Sequence, residues 1–155
     1  MYNVSIRPLE LSDANVSWEW RNDSEIWKYT FSKPDKYITP LIERDWIKKV
    51  IAVKTSRRFA IIVDAVYVGN IQLTNIIEGE KVYYHIFIGD KNYWGKGVAK
   101  AATFQILSFA KDVLDLKCVF LEVKKENLSA IKLYKNIGFR ILEESDKIIE
   151  MKILL

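Results

Sequence analysis

Apolar and polar residues alternate in short runs over much of this chain, which is the period of a strand with one buried face. Val4 and Ile6 begin the series, and Pro8 ends the first run because proline cannot donate to a strand ladder. Later runs are bounded by turn residues such as Glu78-Gly79-Glu80. The pattern predicts further strands over residues 59–63, 67–73, 82–88, 118–123, 139–142 and 148–153.

Four helices are predicted between these strands, from the helical spacing of apolar residues and from capping residues. Start signals are Ser12-Asp13 and Thr39-Pro40, and Gly138 is a stop signal. The predicted helices cover 12 to about 21, 40 to about 53, 97 to about 113, and 128–137. This order predicts a single mixed α/β domain over 1–155, in which a central, mostly antiparallel, twisted sheet of about seven strands is flanked by four helices.

The composition is that of an ordinary globular protein: 155 residues, half of them hydrophobic. Cys118, interpreted as a core residue, is the only cysteine, so no internal disulfide can form and a cytoplasmic location fits best. No apolar run is long enough to span a bilayer, so no membrane partner is expected. The net charge of +4 suits a polyanionic small ligand. Without a nucleic-acid motif, no nucleic-acid partner is expected.

The segment 88–99 is the most informative stretch for chemistry, because it joins a predicted strand to a predicted helix. Gly95 and Gly97 flank Lys96, and Lys100 follows one turn later. Glycine permits close approach of a ligand to the backbone, and the first amides of a helix attract anions. The spacing matches neither a Walker loop nor a dinucleotide fingerprint. Taken alone, the segment is interpreted rather as a glycine-rich turn that starts a helix and binds nothing.

A second segment, 127–139, follows the next predicted strand. Asn127 stands at the start of the helix, and Tyr134 lies two turns later on about the same face. Taken alone, these residues are interpreted as a helix N-cap and a core aromatic.

Together the two segments resemble the GNAT superfamily of acyl-CoA-dependent N-acyltransferases. That family has Arg/Gln-x-x-Gly-x-Gly/Ala at the strand-to-helix turn and, further on, Asn-x-x-Ala-x-x-x-Tyr-x-x-x-Gly-Phe. This chain has Asn92, Gly95 and Gly97 in the first motif, then a second set in register, made of Asn127, Ala130, Tyr134, Gly138 and Phe139. The phrase Tyr93–Gly97 is similar to the branch with ribosomal-protein N-terminal and amino-sugar acetyltransferases. The predicted element order also matches the family fold.

The resemblance implies a binding site for acetyl-CoA without any metal. Backbone amides and lysines at the turn would hold the pyrophosphate, the strand edge near Phe87 and Ile88 would pair with pantetheine, and Asn127 would bond to it. Strands 83–88 and 119–124 would splay apart, and Tyr134 would protonate the departing thiolate. The implied cofactor-binding residues are Phe87, Ile88, Asn92, Gly95, Lys96, Gly97, Val98, Ala99, Lys100, Asn127 and Ala130. Four lysines are also expected near the phosphates: Lys124, Lys125, Lys132 and Lys135.

Two departures from the family affect this interpretation. Asn92 is shorter than the usual arginine or glutamine. Tyr83 stands where related sequences often carry a glutamate, so that carboxylate base is missing. His85, the only histidine, and Glu122 on the neighbouring strand are candidate bases, with ordered water as the alternative.

The amine acceptor is expected across the sheet from CoA, near the aromatic segment 18–31. The candidate acceptor-binding residues are Trp20, Arg21, Trp27, Tyr29, Phe31 and Tyr83. For any of the aromatic residues of this segment, an equally good interpretation is that it packs between the first two helices.

The favoured function is therefore transfer of an acetyl group from acetyl-CoA to a primary amine of a small molecule, by direct attack in a ternary complex. Amino sugars, polyamines and amino acids all remain candidate acceptors. The alternatives are a protein N-terminal acetyltransferase and a non-catalytic CoA-binding domain. The expected oligomeric state is a monomer or a homodimer.

Overall fold

The computed structural model describes residues 2–155; Met1, which the predicted domain includes, lies outside the described residues. Seven strands form one sheet in the order β1-β2-β3-β4-β5-β7-β6. Neighbouring strands are antiparallel except β4 and β5, which are parallel. The predicted mostly antiparallel sheet of seven strands is thus confirmed. The strands are β1 Val4–Pro8, β2 Arg57–Val63, β3 Val66–Ile77, β4 Lys81–Ile88, β5 Cys118–Lys124, β6 Arg140–Glu144 and β7 Ile148–Leu154.

Five α-helices accompany the sheet where four were predicted. The additional helix is a single turn, α2, inside the aromatic segment, and it is capped by the Asp23 carboxylate, which accepts from the Glu25 amide. One turn is too short to display a helical period, so the pattern could not predict it. The helices are α1 Ala14–Arg21, α2 Ser24–Trp27, α3 Pro40–Ile51, α4 Val98–Asp112 and α5 Leu128–Ile137. Short 3₁₀ turns cover Leu11–Asp13 and Lys91–Tyr93.

The two faces of the sheet carry separate cores. Ile61 and Val63 of β2 join the larger core, which β4, β5 and β7 share with helices α4 and α5. Ala60, on the opposite face of β2, packs with Ile47 of α3 and Ala14 of α1 in a smaller core. Helices α1 and α3 therefore cover one face of the sheet, and α4 and α5 cover the other.

The parallel strands β4 and β5 separate at their carboxyl ends. Pairing extends only from Lys81 opposite Cys118 to Tyr83 opposite Phe120, although β4 continues to Ile88. The remaining residues of β5 pair only with β7. The predicted splay is confirmed, and it leaves a cleft with unpaired backbone on both sides. Within residues 2–155 no helix is both long and apolar enough to cross a membrane.

Candidate active site

The turn between β4 and α4 presents a run of free backbone donors. Gly95 and Gly97 have φ of +68° and +79°, a conformation that glycine adopts without steric cost. Across residues 2–155, the backbone amides from Gly95 to Lys100 have no hydrogen-bond acceptor. The next amide, that of Ala101, donates to the Gly97 carbonyl at 3.1 Å. Successive free amides at a helix start form an anion-binding site.

The end of β4 leads directly into this turn. The Trp94 indole N–H donates to the Ile88 carbonyl at 2.8 Å, so one lone pair on the predicted pantetheine-binding edge is occupied. The Phe87 ring turns to the opposite face of the sheet and meets Trp20 at 6.0 Å between centroids. The Phe87 backbone faces Asn70 of β3, so the backbone of Ile88, and not that of Phe87, is directed at the open edge of β4. The Asn92 side chain is exposed, and the backbone amide of Asn92 donates to the Asp90 carboxylate at 3.0 Å.

Asn127 is the N-cap of α5, as its position predicts. Its side-chain oxygen accepts from the Ala130 amide at 3.4 Å. The side-chain NH₂ donates to no acceptor in the part of the chain that the structure describes. That group is free to donate to a ligand in the cleft, which is compatible with the role that the family implies for Asn127.

Tyr134 is buried on the α5 side of the sheet, where its ring packs edge-on against Tyr84 and Phe139. Burial raises the pKa of Tyr134 to about 12, while the hydrogen-bonding contact with Tyr84 lowers it. The phenol is therefore protonated at neutral pH and has a proton to give. This is the state that a general acid needs.

On the opposite face, β4 places Tyr83, His85 and Phe87 in alternation. His85 Nε2 lies 3.1 Å from the Thr74 hydroxyl of β3. His85 is exposed at the surface, but neighbouring atoms displace part of the water around its imidazole. This loss of hydration, followed by the charge of Arg58, lowers the pKa of His85. His85 is therefore neutral at pH 7 and can accept a proton.

A carboxylate that sequence reasoning missed lies beside this row. Glu150 of β7 stands directly opposite Glu122 of β5, and the Tyr83 hydroxyl donates to Glu150 Oε2 at 3.4 Å. Burial, then the charge of Glu150, raises the pKa of Tyr83. The alternation of residues in β7 predicts that Glu150 points away from the core, but no sequence motif indicates that Glu150 lies close to β4. The structure thus places carboxylates near Tyr83, the position at which related sequences often carry a glutamate.

The predicted acceptor residues Trp20 and Arg21 lie inside the α1–α3 layer. Trp20 is buried against Tyr67. Arg21 pairs with Glu43 at 2.8 Å and stacks on Trp46 at 4.7 Å. These contacts are structural, so a direct contact of Trp20 or Arg21 with an acceptor stays a prediction.

Trp27, Tyr29 and Phe31 lie at the surface, in α2 and the loop that follows it. The structure brings this loop to the end of β5, where the Lys124 ammonium lies 5.3 Å from the Phe31 ring and donates to the Lys28 carbonyl at 2.6 Å. The Lys124 ammonium is therefore engaged by this loop, and its contact with the phosphates of CoA stays a prediction.

The described residues contain no group of three or more His, Cys, Asp or Glu side chains that could hold a metal ion. An anion-binding turn, a splayed strand pair and a buried protonated phenol together define an acyl-CoA-dependent acyltransferase. The sequence profile of the acetyltransferase (GNAT) domain matches residues 3–140, and the chain belongs to this family. It is an N-acetyltransferase that takes its acetyl group from acetyl-CoA.

Several known proteins are similar to this chain. Spermidine N(1)-acetyltransferase of Escherichia coli (strain K12) is 29% identical over 140 residues, which cover 90% of this chain and 74% of that protein. The spermidine N-acetyltransferase of Vibrio cholerae, solved with CoA and spermine, superposes with a TM-score of 0.86 at 24% identity, over 97% of this chain and 95% of that one. A dodecameric structure from the same organism has a TM-score of 0.79 at 25% identity, over 97% and 93%.

These relatives confirm the predicted superfamily and fold. They do not support the predicted resemblance to the ribosomal-protein branch, and they do not favour the alternative of a protein N-terminal acetyltransferase. The two motifs are common to the superfamily, whereas the branch was predicted from the short phrase Tyr93–Gly97 alone. That phrase lies in the turn between β4 and α4.

Proposed function

We propose that this enzyme acetylates a primary amine of a polyamine such as spermidine or spermine. The observation that supports this acceptor is the facing pair Glu122 and Glu150 beside the cleft. Neither carboxylate has an ion-pair partner within residues 2–155. Like charges directly opposite on a sheet repel each other unless a cation lies between them. A ligand with several ammonium groups supplies such a cation while it presents another nitrogen to the thioester.

The reaction that this site supports is direct attack in a ternary complex. The phosphates of acetyl-CoA bind the free amides and Lys96 and Lys100, and pantetheine lies between β4 and β5. The acceptor ammonium loses one proton, and its nitrogen then attacks the thioester carbonyl. The C–S bond breaks as Tyr134 donates its proton to the sulfur. The second proton lost by the nitrogen returns to Tyr134, directly or through water.

His85 and Glu122 are the side chains proposed to take the first proton, with ordered water as a relay. Around them, Tyr83, Trp27, Tyr29 and Phe31 provide aromatic surface for the methylene segments of a polyamine. Trp20, which packs against Phe87, and Arg21, which pairs with Glu43, are proposed to act on the acceptor only indirectly, from within the α1–α3 layer.

An acceptor panel read out as free CoA thiol tests the proposal. We expect spermidine and spermine to exceed a monoamine of equal chain length, an amino sugar and an amino acid in kcat/KM. Glu150→Gln should raise KM for the polyamine by about tenfold, the loss of one charge-assisted contact. Glu144→Gln, on the exposed edge strand β6, is the matched control and should change nothing. Equal rates with the monoamine would reject the polyamine and leave the acetyl-CoA chemistry intact.

A cytoplasmic location and a monomeric or dimeric state remain our proposals for this chain. The dodecamer belongs to the Vibrio cholerae protein. The edge strand β6 exposes all of its residues and ends in Glu143 and Glu144, and charges of this kind discourage edge-to-edge pairing. Light scattering measures the state directly, and a mass above twice 18.1 kDa would contradict the expectation.

A further inference from the structure

Arg58 of β2 is a charged side chain that the site described so far does not use. Its Nε is buried without a hydrogen-bond partner, and the guanidinium lies 5.3 Å from the centre of the Trp46 ring. It forms no ion pair within residues 2–155. Burial lowers the pKa of Arg58, which is the signature of an uncompensated charge. Such a charge costs stability, so a functional reason for it is worth seeking.

The sheet register places Arg58 in line with the candidate base. Arg58 stands opposite Gln72 of β3, and Gln72 stands opposite His85 of β4. Strands are about 4.8 Å apart, so the backbones of Arg58 and His85 are about 10 Å apart. The three side chains share the face that α1 and α3 cover in part. The long arginine side chain therefore brings its charge toward His85 across one neutral residue.

Lys81 and Lys152 also lie on this face, each 5.3 Å from the centre of the Phe120 ring beyond Tyr83, whereas two arginines on the α1–α3 side are ion-paired. Arg7 pairs with Asp13, and Arg21 pairs with Glu43. From the cleft side, Tyr83 is the neighbour of His85 on the same face of β4. After loss of hydration, the charge of Arg58 is the second cause of the lowered pKa of His85.

We propose that Arg58 is a positioning residue that keeps His85 as a neutral imidazole, oriented by Thr74, so that His85 can take the proton from the acceptor ammonium. The proposal requires the tautomer in which Nε2–H donates to the Thr74 hydroxyl, so that Nδ1 carries the free lone pair. One N–H bond of the ammonium breaks, an N–H bond forms at Nδ1, and the resulting imidazolium later releases its proton to water. The catalytic half of this proposal depends on the proposed acetylation of an amine. The electrostatic half does not.

His85 is the only histidine, so its titration gives one isolated imidazole signal by NMR. Removing the neighbouring cation lets the imidazole keep its proton to higher pH. We therefore expect Arg58→Met to raise the midpoint by about 0.5 pH unit or more. Arg58→Lys keeps the charge and should stay close to the wild type. Arg57→Met is the matched control, because Arg57 is exposed, lies on the other face of β2 and should leave the midpoint unchanged.

The acid limb of kcat/KM should move with the NMR midpoint, to higher pH in Arg58→Met, and should disappear in His85→Gln. An unchanged midpoint in Arg58→Met overturns the electrostatic role. A shifted midpoint with an unmoved acid limb overturns the role of His85 as the base. If no amine is acetylated at all, the proposed function fails, whereas the NMR comparison still decides the role of Arg58. Should Arg58→Met not fold, Arg58→Gln takes its place in both measurements.

Discussion

At Tyr134, burial and the proposed chemistry favour the same protonation state. The hydrophobic core around the ring raises the pKa to about 12, and the proton that burial retains is the one the thiolate needs. At His85 the same loss of hydration lowers the pKa, because it disfavours the charged form, and the charged form of a base is the protonated one. The two residues lie on opposite faces of the splayed strands, one for each proton transfer.

Tyr134→Phe should lower kcat about 10²-fold, toward the low end for general acids, because a thiolate is already a good leaving group. The ring still packs, so affinity for CoA should be unchanged. Steady-state kinetics with a calorimetric Kd measures both. Tyr84→Phe is the control: it removes the 2.6 Å hydroxyl contact with Thr103, costs about 1 kcal/mol of stability and should retain turnover. Full kcat in Tyr134→Phe would leave water as the acid.

The wild-type pH profile tests the same assignment without a mutation. Since the pKa of Tyr134 is raised to about 12, its proton is present throughout the neutral and mildly basic range. We therefore expect that ionisation of Tyr134 causes no fall in kcat below about pH 10. Any fall seen in that range should persist in Tyr134→Phe. A limb near pH 8 or 9 that disappears in Tyr134→Phe would contradict this expectation.

At the scale of elements, the sequence predicts what is local and periodic. The bounds of α5 agree with the prediction, because Asn127 and Gly138 mark both ends. Strand β3 extends four residues beyond the predicted 67–73, to Ile77. Its continuation pairs with β4 after an irregularity in register near Asn75, where the alternation is interrupted and the pattern loses its signal. The sequence does not predict α2, because its four residues make only about one turn and cannot repeat the helical period.

Gly97 is the element-scale test of the anion-binding turn. Gly97→Val puts a β-branched residue at φ of +79°, which costs about 1–2 kcal/mol and shifts the free amides. We expect the affinity for CoA to fall at least about tenfold in calorimetry, with the protein still folded. Gly79→Val is a close control, since Gly79 has φ of +72° in the distant β3–β4 turn. It should lose similar stability and bind CoA normally; equal losses in both variants would reject the turn.

At the scale of the whole molecule, the residues that we propose for CoA could be found in the sequence, and most of those that we propose around the candidate base and the acceptor could not. Gly95, Gly97, Asn127 and Tyr134 lie in two short segments whose spacing is fixed by a turn and a helix. Glu150, Thr74 and Arg58 approach the site only through the order and register of β2, β3, β4, β5 and β7. Such long-range pairing leaves no local period in the sequence. The side chains that we propose near the acceptor and the candidate base can therefore be identified only once the sheet is known.

The whole chain should bind acetyl-CoA without a metal ion. We expect the phosphates to bind the free amides from Gly95 to Lys100 and the ammonium groups of Lys96 and Lys100. These groups compensate the negative charge of the phosphates, so no metal ion is needed. Calorimetry in excess chelator should give the same Kd as calorimetry with added Mg²⁺. Because lysines contribute, the Kd should also weaken as salt rises. Lys96→Met should flatten this salt dependence, and Lys111→Met, at the far end of α4, should not. Loss of binding in chelator would show that a metal supplies what we attribute to the turn.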